Sequence, residues 1–265
     1  MSLVEFQRAL ADLAASPELC RALRDDAGPV LGRWQLTELE RERVAAAIRH
    51  PGWVVNCTLW RANRLGPIYT LLARSCFLLG DRFRDEVDRF WALHPRPDFM
   101  TRREVPRFAA FLRGRLESGG LGDPYLAQVL EYELAYFELG LLPRKRITAE
   151  TPAPDHVEPG TPLRLHPLVR VVRFAHEPEP LLTLLAQFRP RPYELAEGEF
   201  YLVVDGRAGA RELSRARPDA GRLLLRIASG GVQADGRAEL TALVRHGFVV
   251  PISAAVPAEP ELAAV

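Results

Sequence analysis

PRKRITAETPAPDHVEPGTP, residues 143–162, divides the sequence in two. It is rich in proline and polar residues and carries no hydrophobic period, which is the composition of a linker. From Leu3 to about Leu142, apolar residues recur at spacings of three and four, the helical period. Glycine and proline interrupt this pattern at Gly28-Pro29, Pro51-Gly52, Pro95 to Pro97 and Gly119 to Gly122. Ser16-Pro17-Glu18, Thr37 with Glu40, and Asp123-Pro124 read as helix starts, each an oxygen-bearing cap before an acidic or proline first turn.

After the linker the pattern changes. HPLVRVVRF and EFYLVV have the β-branched and aromatic character of strands, and FVVPI closes the series as a short one. EPLLTLLAQF, RLLLRIASGG and RAELTALVRHG keep helical spacing and end at glycine or before proline. The expected order is strand, helix, strand, short strand, helix, helix, strand. The fold class is therefore α+β: an all-helical domain over 1–142, whose first fifty residues form an extra layer, the linker at 143–162, and a winged-helix-like domain over 163–253. Residues 254–265, AVPAEPELAAV after Ala254, read as a flexible tail.

Composition narrows the function classes. The 265 residues carry 35 basic and 34 acidic side chains, a net charge of +1, so no overall field draws the chain to nucleic acid or an anionic membrane. No apolar run reaches membrane-spanning length. The three cysteines, Cys20, Cys57 and Cys76, form no CxxC pair, and an odd number of thiols among aliphatic residues points to a reducing, cytoplasmic setting. There is no GxGxxG after a strand, no GxxxxGK[ST], no HExxH and no GxSxG. The six histidines are scattered, without a ligand-spaced partner on a helix. The residues point to no catalytic, cofactor or metal site in this chain.

One polar residue stands out. In PYLAQVLEYELAYFEL, residues 124–139, helical spacing places Leu126, Val129, Leu130 and Phe137 on one face with Glu133 among them. A buried carboxylate is paired or used. Arg61, four residues from both Cys57 and Leu65, points inward by the same spacing, so Arg61 and Glu133 are expected to form a structural ion pair bracing two helices.

Arg61 and Asn63, Gly80, Asp81 and Phe83, Phe108, Phe111 and Leu112, and Pro124, Tyr125, Leu126 and Glu133 follow one another in an order that resembles the helical domain of the HvfC-type proteins. That family has long been labelled DNA-binding. HPLVRVVRF, EFYLVV, RLLLRIASGG and RAELTALVRHGFVV resemble its second domain, so the similarity covers roughly residues 55 to 252. Trp60 stands where tyrosine is common, and the first fifty residues have no counterpart. The resemblance implies an accessory role. Such proteins accompany multinuclear non-haem iron enzymes of TIM-barrel fold that oxidatively modify ribosomally made peptides, often at cysteine, and help present the precursor peptide. No cofactor is expected in this chain; iron belongs to the partner.

Small winged-helix modules bind peptide leaders by strand addition, in which a sheet edge supplies main-chain hydrogen bonds. The expected peptide site is the strand Phe200, Tyr201, Leu202, Val203 and Val204, with Tyr201 and Val203 open to the peptide. Leu240, Leu243 and Val244 would line the neighbouring helix groove. The rival reading is a winged-helix DNA-binding regulator using Arg222, Arg226, Arg237, Arg245 and the cluster Arg144-Lys145-Arg146.

Overall fold

The computed structural model describes residues 3–95, 101–150, 157–189, 195–208 and 210–252. The tail at 254–265 and the middle of the 143–162 segment lie outside them. The chain forms two compact units, 1–122 and 123–265. The first is all helical and the second mixes helices with antiparallel strands, as the α+β reading expects.

The first unit contains α1 (Leu3–Ala15), α2 (Pro17–Asp25), α3 (Ala27–Leu31), α4 (Glu38–Arg49), α5 (Gly52–Leu71), α6 (Ala73–Leu79), α7 (Arg82–Leu93) and α8 (Thr101–Glu117). The expected caps form. The Ser16 hydroxyl accepts from Leu19 N, and Thr37 with Glu40 makes a reciprocal capping box. The extra layer buries Ala9, Leu13, Leu23, Leu31, Trp34, Val44 and Ile48 in a core of its own, which Trp53 and Cys57 of α5 complete. Further along, Phe90 of α7 meets Phe108 of α8 edge to face at 5.2 Å, and Phe83 meets Phe108 in the same manner at 6.5 Å.

The second unit begins at Asp123, so α9 (Leu126–Leu141) belongs with the strands, and the boundary expected at 142 lies before this helix. The physical reason is in its sequence. Leu126, Val129, Leu130, Tyr132, Leu134, Phe137 and Leu139 are buried around nearly the whole circumference, so one helical neighbour cannot cover it. Asp123 Oδ1 caps it by accepting from Tyr125 N and Leu126 N. The expected linker is also more structured than its composition suggests. α10 (Arg144–Glu150) is helical, and Gly160 N and Leu163 N donate to the carbonyls of Ala234 and Val232.

There follow β1 (Leu163–Leu165), β2 (Val169–His176), α11 (Pro178–Ala186), β3 (Glu197–Asp205), β4 (Glu212–Ala216), α12 (Pro218–Ala228), α13 (Ala238–Arg245) and β5 (Val249–Pro251). This is the expected order, with the first strand divided in two at His166-Pro167. β1 pairs with β5, and β2-β3-β4 form a separate antiparallel sheet in that order, with Val171 opposite Val203 and Val203 opposite Ser214. On one face, Val169 and Val203 join Leu224 and Ile227 of α12 and Leu240 and Val244 of α13. On the other, α9 is fastened to β2: Gln128 Oε1 accepts from Ala175 N at the bulge, and Arg170 reaches Glu138.

Candidate functional site

The sheet order corrects the expected peptide site. β3 is the central strand, and Tyr201 to Val204 are paired on both sides and Phe200 with β2, so this stretch is not a sheet edge open to a peptide. Tyr201 is 1% and Val203 2% exposed, and Leu202 and Val204 are buried on the other face. Leu240, Leu243 and Val244 are packed into the core with Val203 rather than lining a groove. The signal was present: YLVV is a continuous apolar run, the mark of a strand covered on both faces, whereas a half-exposed strand alternates. α12 approaches β3 so closely that a Cβ on Gly221 would lie 2.1 Å from Tyr201 Cγ. The Tyr201 hydroxyl donates to Glu199 at 2.5 Å, and Arg222 pairs with Glu199 as well. That hydrogen bond, then Arg222, holds Glu199 below the usual carboxylate range, while burial pushes the Tyr201 phenol up.

The available edge is β4. Among the described residues it pairs only with β3, and Glu212, Leu213, Ser214 and Arg215 are all exposed, Leu213 at 47%. Leu213 shares a face with Arg211 and Arg215, by the two-residue period of a strand. Arg211 donates to the Tyr136 carbonyl of α9 and lies 3.9 Å from that ring's centroid, which seats the start of β4. Arg215 lies 4.9 Å from the Phe200 ring centroid and faces Glu177 and Glu179 at 3.6 and 3.9 Å. The result is a short strand whose outer edge has no partner strand among the described residues, with an exposed apolar side chain, Leu213, two residues from an arginine on an aromatic ring at either side. ELSRA, with no apolar alternation and Pro218 just beyond, is how an exposed edge strand reads in sequence.

The expected brace is also corrected. The inward arginine of α5 is Arg64, not Arg61. Arg64 Nε donates to Glu104 Oε1 at 2.6 Å and its NH2 donates to the His94 carbonyl at 2.9 Å; the two charged side chains are 1% and 2% exposed. The guanidinium stands over Trp60, Phe90 and Trp91, with 5.0, 5.8 and 5.4 Å to the ring centroids. Burial pulls its proton affinity down, and the bond to Glu104 raises it again. Arg61 remains partly exposed, 4.0 Å from Asp88 and over Trp91. Glu133 is buried as expected, on α9 in the other unit.

Cys20 donates to the Leu13 carbonyl at 2.9 Å and accepts from the Trp53 indole at 3.2 Å; burial pushes its thiol up to about 11, away from nucleophilic use at neutral pH. Among the described residues no three His, Cys, Asp or Glu side chains cluster as metal ligands, and no helix is long and apolar enough to cross a membrane. Arg222 is engaged by Asp219 and Glu199, and Arg237 by Asp235, so two of the arginines named for phosphate contact are already neutralised. No protein-family model and no curated protein sequence matches the chain.

Proposed function

We propose that this chain is a non-catalytic partner that forms a heteromer with a multinuclear non-haem iron peptide-modifying enzyme and holds the precursor peptide by strand addition to β4. The family reading rests on the motif order from Arg61 to Glu133 and through the strands and helices beyond. The observation that carries the peptide reading is the outer edge of β4, which has no strand partner among the described residues, with Leu213, its second residue, exposed. Strand addition needs main-chain groups on one line and an anchor for alternate side chains, and β4 supplies both. Five residues, the length of β4, match a short leader segment. The iron belongs to the enzyme, and cysteines that form no disulfide fit a cytoplasmic setting.

The test is titration of a fluorescently labelled precursor peptide into the full chain. Leu213→Glu and Ser214→Pro are expected to weaken binding at least tenfold while the far-ultraviolet spectrum stays unchanged. Co-purification with the enzyme should survive both substitutions. Unchanged peptide affinity in both folded variants refutes the β4 site. Tight binding of operator DNA, with no peptide binding, refutes the partner reading and restores the regulator.

A further inference from the structure

A cleft of about 1150 Å³ opens within the first unit, between the extra N-terminal layer and helices α5 and α7. Its lining includes Arg33, Trp34, Arg61, Arg84, Asp88 and Trp91. Arg8 and Arg21, which also face it, are held by their own helices' Glu5 and Glu18 at 2.9 and 3.2 Å. Trp34 is held by its indole N–H to Asp12 at 3.1 Å. The remaining cations are not so occupied. Arg33 and Arg84 have no ion-pair partner among the described residues, and the 4.0 Å from Arg61 to Asp88 exceeds a hydrogen bond.

A second feature points to a ligand. Arg61 Nε and the Trp91 indole nitrogen are both buried donors with no acceptor among the described residues, and Trp91 is 8% exposed. The guanidinium carbon of Arg61 lies 5.3 Å from the centroid of the Trp91 ring. Unanswered N–H groups on two neighbouring side chains are costly, and an oxygen acid within reach of them would answer that need. Both nitrogens are closed to solvent in this arrangement, so a ligand in the cleft reaches them only if the Arg61 guanidinium, held to Asp88 at no closer than 4.0 Å, turns.

We propose that this cleft binds an organic carboxylate, with Arg61 and Trp91 as its donors. A planar carboxylate matches the guanidinium fork, and Ala15, Leu19 and Ala92 in the lining provide apolar wall for the body that carries it. A polyanion is disfavoured, because Asp12, Glu18 and Asp88 face the same space. The inference stands apart from the strand-edge reading: it concerns the other unit, and either can fail alone. It also gives the extra N-terminal layer a purpose beyond covering α5, since that layer forms one wall.

The carboxylate belongs either to the end of a peptide or to a small free acid. The probes are N-acetyl-trialanine with a free carboxylate, the same peptide as its carboxamide, and sodium acetate, each added to the ¹⁵N-labelled full chain. The readout is the indole N–H resonance of Trp91, assigned from Trp91→Phe. The peptide acid is expected to shift it downfield saturably and the carboxamide to leave it in place. Arg61→Gln, with an unchanged far-ultraviolet spectrum, is expected to weaken the response at least tenfold, the loss of one charge-assisted hydrogen bond. Acetate weaker than the peptide acid supports a peptide end as the source, and acetate of equal strength supports a small free acid. No saturable shift with either carboxylate, or an equal shift with the carboxamide or with sulfate, overturns the proposal.

Discussion

Removing one member of the Arg64–Glu104 pair should unfold the first unit far more readily than any exposed charge change. With the two side chains 1% and 2% exposed, Glu104→Gln leaves the guanidinium charged in an aromatic enclosure, with the His94 carbonyl as its remaining neutral anchor among the contacts described above. Breaking a buried pair in this way costs about 3–5 kcal/mol. For a unit spanning Met1–Gly122, an unfolding entropy of about 2.1 cal/mol/K per residue gives roughly 0.25 kcal/mol per degree, so the melting temperature should fall by about 12–20 °C. All four tryptophans, Trp34, Trp53, Trp60 and Trp91, lie in this unit, so indole fluorescence during heating reports it selectively. Arg61→Gln is the control, since a half-exposed pair no closer than 4.0 Å contributes at most about 1 kcal/mol. Arg64→Met with Glu104→Leu should recover much of the loss, because replacing both charges removes the stranded one. A Glu104→Gln shift no larger than that of Arg61→Gln would refute the reasoning.

Gly221→Ala sets two effects against each other. Alanine favours a helix by about 1 kcal/mol, but the new methyl would strike Tyr201 at Cβ and Cγ, close to the backbone where the side chain cannot yield. Overpacking of about 1–3 kcal/mol should win, and a urea midpoint that rises would show that α12 can move aside. The Cys20 thiol predicts a pH dependence. Its proton leaves at about 9.0 in the unfolded chain and about 11 in the folded one. The native state therefore holds the proton more tightly, and the stabilisation present below pH 9 is lost as pH rises toward 11. The urea midpoint of the tryptophan signal should decline across that window, and Cys20→Ala should flatten the decline.

The order of elements was legible because glycine and proline mark the joins and the hydrophobic period changes after residue 162. Burial was less so. Arg61 was placed inward by its spacing from Cys57 and Leu65, yet those two are only partly buried. Arg64 precedes Ile68 and Leu72, which are wholly buried, and that line is the core face of α5. Val54, Val55, Leu59 and Tyr69 of the same helix are exposed, so apolar character alone misidentified the inner side. β3 was mistaken for an edge because strand order is a tertiary fact: β4 lends no hydrophobic signal, and its partner becomes visible only when the chain folds back. The cleft had no motif at all. Its walls come from α1, α2, the Arg33-Trp34 turn, α5 and α7, which no short sequence window contains.

The pairing of β1 with β5 bears on how the protein is made. Leu163 finds its partner in Pro251, near the end of the described residues, so a strand synthesised early in the second unit waits for the last strand described. The first unit is helical and rich in short-range contacts, so it can fold as it leaves the ribosome. The second cannot close its small sheet until residue 251 has emerged. During that interval Leu163 and Leu165, the apolar side chains of β1, have no strand beside them. A pause or truncation late in translation would release chains with a finished first unit and an open second one, a species for chaperones to hold.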